Sequence, residues 1–288
     1  MGDATHWKRL FVAATRTLVL LAAVPCATAQ DPTEPNPARD EAFKRVFAKL
    51  QEYSQHPDVS QLGPLTALWR ADHAALGEQT SAPARSIVHI GQVLIYFNVD
   101  PATGKANPTG VAEWQGNQWR GWWNLGCVGC CPDVNWWDRG VLVPSADLTA
   151  AAMRASTKRL DRKTCKFTND PDTIDVRLVR VRALKFRQIA PGKLIHIVAA
   201  PAVGNQASQY KAEVIPQWDL SGTGVSRVTL VTKGERLFDG PSVRGEKQFL
   251  TTRSGRYDFL LVGYNSAGQV LHVESKYIDI PAIPGIGH

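Results

Sequence analysis

Val111-Ala-Glu113-Trp114-Gln-Gly116-Asn117-Gln-Trp119-Arg120-Gly-Trp122-Trp123 reads as a tight β-hairpin. Glycine in the first position of a two-residue loop, here Gly116-Asn117, suits the turn that matches strand twist. The register that follows sets Trp114 opposite Trp119, Glu113 opposite Arg120 and Val111 opposite Trp122. An aromatic pair on one face and an opposite-charge pair on the other are both favourable cross-strand neighbours. Trp114, Trp119 and Trp123 then share one face and Trp122 takes the other.

The composition beyond the hairpin is as unusual. Six of the nine tryptophans and three of the five cysteines lie between Trp114 and Trp137. Cys127, Cys130 and Cys131 follow the second strand, Cys165 lies further on, and Trp136-Trp137 closes the segment. Indoles bury large areas and fill small cores. They also stack on the apolar faces of sugar rings, and Asn124, Asp133, Asn135 and Asp138 stand ready to order hydroxyls. Trp119, Trp122, Trp123, Trp136 and Trp137 are therefore the candidate ligand-binding residues.

The N-terminus carries an address. Lys8, Arg9 and Arg16 precede the apolar run Leu18–Val24, and Ala27-Thr-Ala29 offers a small-residue cleavage site. That three-part pattern is a secretory signal peptide over residues 1–29, and its apolar run falls short of the roughly 20 residues that span a bilayer. The expectation is a periplasmic or secreted protein with no transmembrane segment in the mature chain. Cleavage would lower the formal charge from +7 to +5, since residues 1–29 hold three basic and one acidic side chain. No basic stripe with interleaved aromatics occurs, which argues against a nucleic-acid partner. The residual charge supports weak attraction to anionic envelope polymers.

In an oxidising compartment Cys127, Cys130, Cys131 and Cys165 read as two disulfides. A bond between adjacent Cys130 and Cys131 closes a strained ring, so one of them should reach Cys165 and the other Cys127. The alternative is a thiolate-held metal, because Cys127-x-x-Cys130 opens like a structural zinc site. A second such pair is missing, so no metal and no other cofactor is expected.

Residues 30–39 form a proline-rich spacer. A helix follows, with Phe43, Val46, Phe47, Leu50 and Tyr53 on one stripe. A second helix is predicted from about Pro64 to Leu76, with Leu65, Leu68, Trp69 and Leu76 buried. Ile87–Val99 is rich in β-branched and aromatic residues and reads as one strand containing His89, which is expected to be a hydrogen-bonded core or edge residue. Ser145 is the expected cap of an alanine-rich helix running to about Leu160.

The last hundred residues alternate like strands: Asp175–Arg182, Lys193–Ala199, Tyr210–Trp218, Val225–Val231, Lys247–Thr252, and a hairpin from Tyr257 to Ile280 turning at Asn265–Gly268. Short strands at regular spacing suggest a β-sandwich. Trp218 in the position of a core tryptophan, Gly255-Arg-Tyr257 before a tyrosine corner, and the Tyr257–Gly268 strand and turn together resemble a bacterial immunoglobulin-like domain over about residues 176–281. That resemblance implies a fold, and roles in adhesion, spacing or display. The N-terminal part resembles no family.

The expected fold class is thus α+β: a mixed helix/β domain over 40–173, an all-β Ig-like sandwich over 174–282, and a tail at 283–288. The expected function is non-catalytic binding or scaffolding in the cell envelope, contacting a polysaccharide or a protein partner through the tryptophan surface. Two alternatives accompany it. One is an envelope polysaccharide hydrolase using Glu113, Asp133 or Asp138, although Glu113 has Arg120 as its expected partner. The other is a cysteine-ligated metal-binding protein. No zinc-protease motif, nucleophile elbow or phosphate loop is present.

Overall fold

The structure, a computed structural model, describes residues 36–55, 58–72, 84–100, 102–124, 137–161, 163–164, 166–199 and 210–282. Helix α1 (Pro37–Gln55) comes first. Pro37 takes the first helical position, where its missing N–H costs nothing, and Asn36 Oδ1 accepts from Arg39 N at 3.1 Å. The predicted spacer therefore gives way to helix at residue 37 rather than 40.

Eight strands follow and close on themselves. They are β1 (Ala67–Ala71), β2 (Arg85–Ile90), β3 (Val93–Val99), β4 (Ala106–Trp114), β5 (Trp119–Asn124), β6 (Trp137–Pro144), β7 (Ala150–Asp161) and β8 (Lys166–Arg180). Each pairs antiparallel with the next, and β8 returns to β1 through Trp69 opposite Arg180 and Ala71 opposite Leu178. The α+β reading is corrected here, since the first half is a closed antiparallel barrel and α1, laid on its outside, is its single α-helix among the described residues. The hairpin that opened the sequence reading has the register expected, with Trp114 opposite Trp119 and Val111 opposite Trp122.

The barrel interior is built by alternation. Bulky Trp69, Ile87, Leu94, Tyr96, Trp119, Trp123, Leu142, Met153 and Leu178 fill it, and small Ala67, Ala112, Ala151 and Ala155 make room for them. This explains the misread helix at 145–160. Alanines normally favour helix, but here they supply the small inward positions of strand β7. Ser145 caps no helix: its hydroxyl donates to Asp147 in the β6–β7 turn. Where a helix was expected from about Pro64 to Leu76, the described residues there, which stop at Asp72, hold strand β1, and Leu76 lies outside them. Leu65, just before the strand, and Leu68 and Trp69 within it have helical spacing because this stretch is buried on both sides, with Leu65 and Trp69 inside the barrel and Leu68 in the C-terminal core. The single strand expected over 87–99 is a hairpin, turned at Gly91 with φ of 55°.

The outer wall of β2–β5 is apolar and α1 covers it. Ala42, Val46 and Leu50 pack on Val88, Val93, Ile95, Phe97, Val111 and Trp122. The outer face near β1 is covered instead by the C-terminal region.

That region holds β9 (Leu184–Phe186), β10 (His196–Ala199), β11 (Tyr210–Val214), β12 (Pro216–Asp219), β13 (Arg227–Thr232), β14 (Glu235–Gly240), β15 (Arg244–Glu246), β16 (Phe249–Thr251), β17 (Gly255–Tyr264) and β18 (Val270–Ile280). They form three sheets, in orders β10-β11-β16, β15-β12-β9 and β14-β13-β17-β18, around one core that also takes in Leu68, Ala84 and Val99 of the barrel half. This replaces the expected Ig-like sandwich. Its proposed first strand, Asp175–Arg182, belongs to the barrel, because β8 runs to Arg180 and is the strand that closes it. Trp218 is buried, and its indole N–H donates to Ser242 O at 2.9 Å.

Candidate functional site

Strand β5 positions the candidate site. Its inward residues are Trp119 and Trp123, while Trp122 points out beneath α1. The Trp123 indole lies across two glycines on the flanking strands. A Cβ on Gly110 would fall 2.7 Å from Trp123 Cε3, and one on Gly140 would fall 2.6 Å from Cδ1 and 2.7 Å from Nε1. Tyr96 on β3 meets the same indole edge-on, with ring centroids 4.6 Å apart.

Four polar groups of the barrel interior stand out. Tyr96 Oη, Asn98 Oδ1 and Trp123 Nε1 are buried and have no hydrogen-bond partner. Native structures satisfy nearly all such atoms, so three on β3 and β5, the two strands that flank β4, call for an explanation. Tyr96 and Asn98 are alternate residues of β3, and Asn98 is paired in register with Arg85 of β2. Burial pushes the Tyr96 phenol far above its usual range, with the nearby Arg85 cation opposing, so it stays a neutral hydroxyl. Burial also lowers Arg85, opposed by Tyr96, yet a guanidinium remains a cation at any ordinary pH. The set offers an indole N–H, a phenol O–H, a guanidinium and an amide. Such a set can both donate and accept hydrogen bonds.

The residues proposed from sequence distribute differently. Trp119, Trp122 and Trp123 are all buried core side chains. Trp119 packs between Trp114 and His89, at centroid distances of 5.1 and 4.8 Å. Trp122 lies under α1 with the Arg139 guanidinium 5.5 Å from its ring. Trp114, at the hairpin end, is the exposed member of the group among the described residues. Trp137 and Asp138 are placed by backbone register only, opposite Asn124 and Trp123. Asp133, Trp136, Cys127, Cys130, Cys131 and Cys165 lie outside the described residues, and with them the proposed disulfides and the thiolate metal site.

Glu113 is withdrawn from acid–base work by its surroundings. Its backbone faces Arg120 as expected, but its carboxylate takes two hydrogen bonds from Arg45 of α1, at 3.0 and 2.8 Å. Those bonds hold it below the usual carboxylate range, where it cannot serve as a proton donor near neutrality. His89 is structural: Nδ1 accepts from Leu65 N at 3.4 Å, and Nε2 lies 2.9 Å from Gly91 O as the donor. Among the described residues no three His, Cys, Asp or Glu side chains could share a metal ion, and no helix is long and apolar enough to cross a membrane.

Sequence reasoning missed Arg85, Tyr96 and Asn98. The available signal was polar residues at alternate positions of an otherwise apolar β segment, which marks a polar inward position. Reading 87–99 as one strand hid it, because Arg85 and Asn98 become neighbours only once the chain turns at Gly91. Comparison with protein families, with curated proteins and with solved structures gives no match to this chain.

Proposed function

We propose that the protein is a non-catalytic binding protein of the cell envelope, exported to the periplasm or beyond, whose barrel holds a hydroxylated group of a saccharide. The observation that carries the reading is the trio of buried, unpartnered atoms Tyr96 Oη, Asn98 Oδ1 and Trp123 Nε1. Sugar hydroxyls both donate and accept, which matches an indole N–H, a phenol and an amide oxygen. An aromatic lining with a few polar groups is the usual composition of a small-molecule site, and barrel ends are a usual place for one. The simpler reading is ordered water, which commonly satisfies such atoms.

The two readings separate by experiment. The full chain is titrated with a panel of mono- and disaccharides while tryptophan fluorescence is followed, beside Tyr96→Phe. A saturable change with at least one sugar is expected, weakened about 3- to 10-fold in the variant, the equivalent of one hydrogen bond of about 0.5–1.5 kcal/mol. Failure of every sugar to bind, with ordered water at all three atoms in a high-resolution crystal structure, would overturn it.

A further inference from the structure

We infer that the seam between the barrel and the C-terminal sheets is a second binding site, for an oxyanionic group such as a phosphate or carboxylate. A cavity of about 590 Å³ opens there, between β1 and β8 on one side and the segment after β12 on the other. Arg70, Arg180 and Arg182 line it together with Asp72 and Asp219.

The ion-pair geometry gives the cavity its sign. Asp72 is engaged by Arg177 at 3.3 Å. Asp219 accepts from Ser221 N at 3.0 Å and faces Arg244 at 3.7 Å, and the Ser221 hydrogen bonds hold its carboxyl below the usual range. Both carboxylates are thus matched by groups other than the cavity's arginines. Arg70 and Arg182 have neither an ion pair nor a hydrogen bond among the described residues. Both are exposed residues of the cavity lining whose charge no carboxylate of the described residues pairs.

Arg180 supplies the rigid element. Its Nη1 donates to Pro64 O at 2.9 Å, its Nη2 donates to Val273 O at 3.0 Å, and its guanidinium carbon lies 6.0 Å from the Trp69 ring. The remaining Nε is buried and has no partner. Burial first, and then the like charge of Arg182, disfavours its cationic form. Two guanidiniums that repel each other beside a third unpaired one are relieved by an anion, and the planar fork of arginine suits a carboxylate or phosphate in particular. Arg180 differs from an ordinary solvated arginine in being pinned by two backbone carbonyls, and it fixes the place at which the exposed Arg70 and Arg182 converge on the cavity.

The test titrates the full chain by calorimetry with inorganic phosphate and, separately, with long-chain polyphosphate, at low and moderate salt. Three proteins are compared: the natural sequence, the double variant Arg70→Gln/Arg182→Gln, and Arg154→Gln as an exposed arginine on the barrel wall. Circular dichroism confirms that each is folded. Binding that weakens at least tenfold in the double variant and less than twofold in Arg154→Gln is expected. Response to phosphate itself identifies a free small anion as ligand, whereas response to the polymer alone identifies a pendant group on an anionic chain. Absence of binding by both probes, or equal weakening in both variants, would overturn the assignment.

Discussion

Glu274 Oε2 lies 3.2 Å from His272 Nε2, and the same oxygen accepts from the backbone N–H of Ala183 at 2.7 Å and of Leu184 at 3.1 Å. His272 Nδ1 in turn accepts from Leu68 N at 3.2 Å, so the proton sits on Nε2 and points at the carboxylate. Strand β18 is thereby tied to β1 and to the stretch of chain that leaves the barrel. Ser86, whose hydroxyl donates to Leu271 O at 3.0 Å, adds a parallel link. Glu274→Ala leaves two buried N–H groups and an imidazole without an acceptor and should cost about 3–5 kcal/mol. Glu274→Gln keeps an acceptor and should cost less. Urea unfolding checks both, and a loss under about 1 kcal/mol for the alanine variant would show the network to be dispensable.

The same pair predicts acid sensitivity. Burial lowers His272 below its ordinary 6.5, with Glu274 opposing and Arg180 and Arg182 assisting. Burial works to raise Glu274, but the hydrogen bond and charge of His272 and the two backbone donors outweigh it and hold the group below 4.5. For both groups the unfolded chain takes up a proton at a higher pH than the folded one. Their stabilisation is complete above about pH 6.5 and falls as the pH drops, first through the histidine and then, below about 4.5, through the glutamate. Melting temperature measured from pH 8 to pH 4 should therefore decline on the acid side, and His272→Gln should flatten the part between 6.5 and 4.5.

Gly140→Ala tests how Trp123 is housed. The added methyl would sit 2.6 Å from the indole and 2.7 Å from Arg154 O, which neither neighbour can yield freely. Overpacking of this kind costs about 1–3 kcal/mol. Equilibrium unfolding followed by tryptophan fluorescence should show the loss together with a shifted native emission.

Helix α1 is held by its apolar face. Leu50→Ala, in the layer shared with Trp122 and Phe97, should cost about 2–5 kcal/mol. Arg45→Ala removes the contact with Glu113, an ion pair in which Arg45 is largely exposed, and such pairs contribute about 0–1 kcal/mol. Urea midpoints of the two variants should differ accordingly, and equal losses would mean that the ion pair, not the core, docks the helix.

Tyr257→Phe removes a hydroxyl that donates to Arg253 O at 3.1 Å and lies 2.7 Å from Thr251 Oγ1. The expected loss is about 0.5–1.5 kcal/mol. An unchanged melting temperature would show that this corner is closed by packing alone.

What the sequence disclosed was local. The hairpin at Gly116-Asn117 could be registered residue by residue, because turn chemistry and cross-strand chemistry agree there. The stripe of α1 was legible for a similar reason, since one polar and one apolar face follow a single period. Burial on two sides was what misled. At β1 and the turn before it, Leu65, Leu68 and Trp69 serve two different cores, and their spacing imitates a helix. In β7 the small residues answer to the bulk of side chains on other strands, a demand that no local window contains. The candidate site was hidden likewise, because Arg85, Tyr96, Asn98 and Trp123 come from three strands that three successive turns bring together.

The closed barrel also dictates an order of assembly. Seven of its eight pairings join strands that are consecutive in sequence, so each can form as soon as its hairpin is made, at low cost in loop entropy. The eighth cannot. Strand β1 must wait for Arg180 before its second edge is covered, and its outward Leu68 waits longer still, for Leu271 and the rest of the C-terminal core. A chain emerging from the ribosome therefore carries β1 half-paired from the completion of β2 at Ile90 until β8 is made. A ribosome-stalled series truncated just before and just after β8 would locate the step at which that vulnerable edge becomes protected from proteolysis.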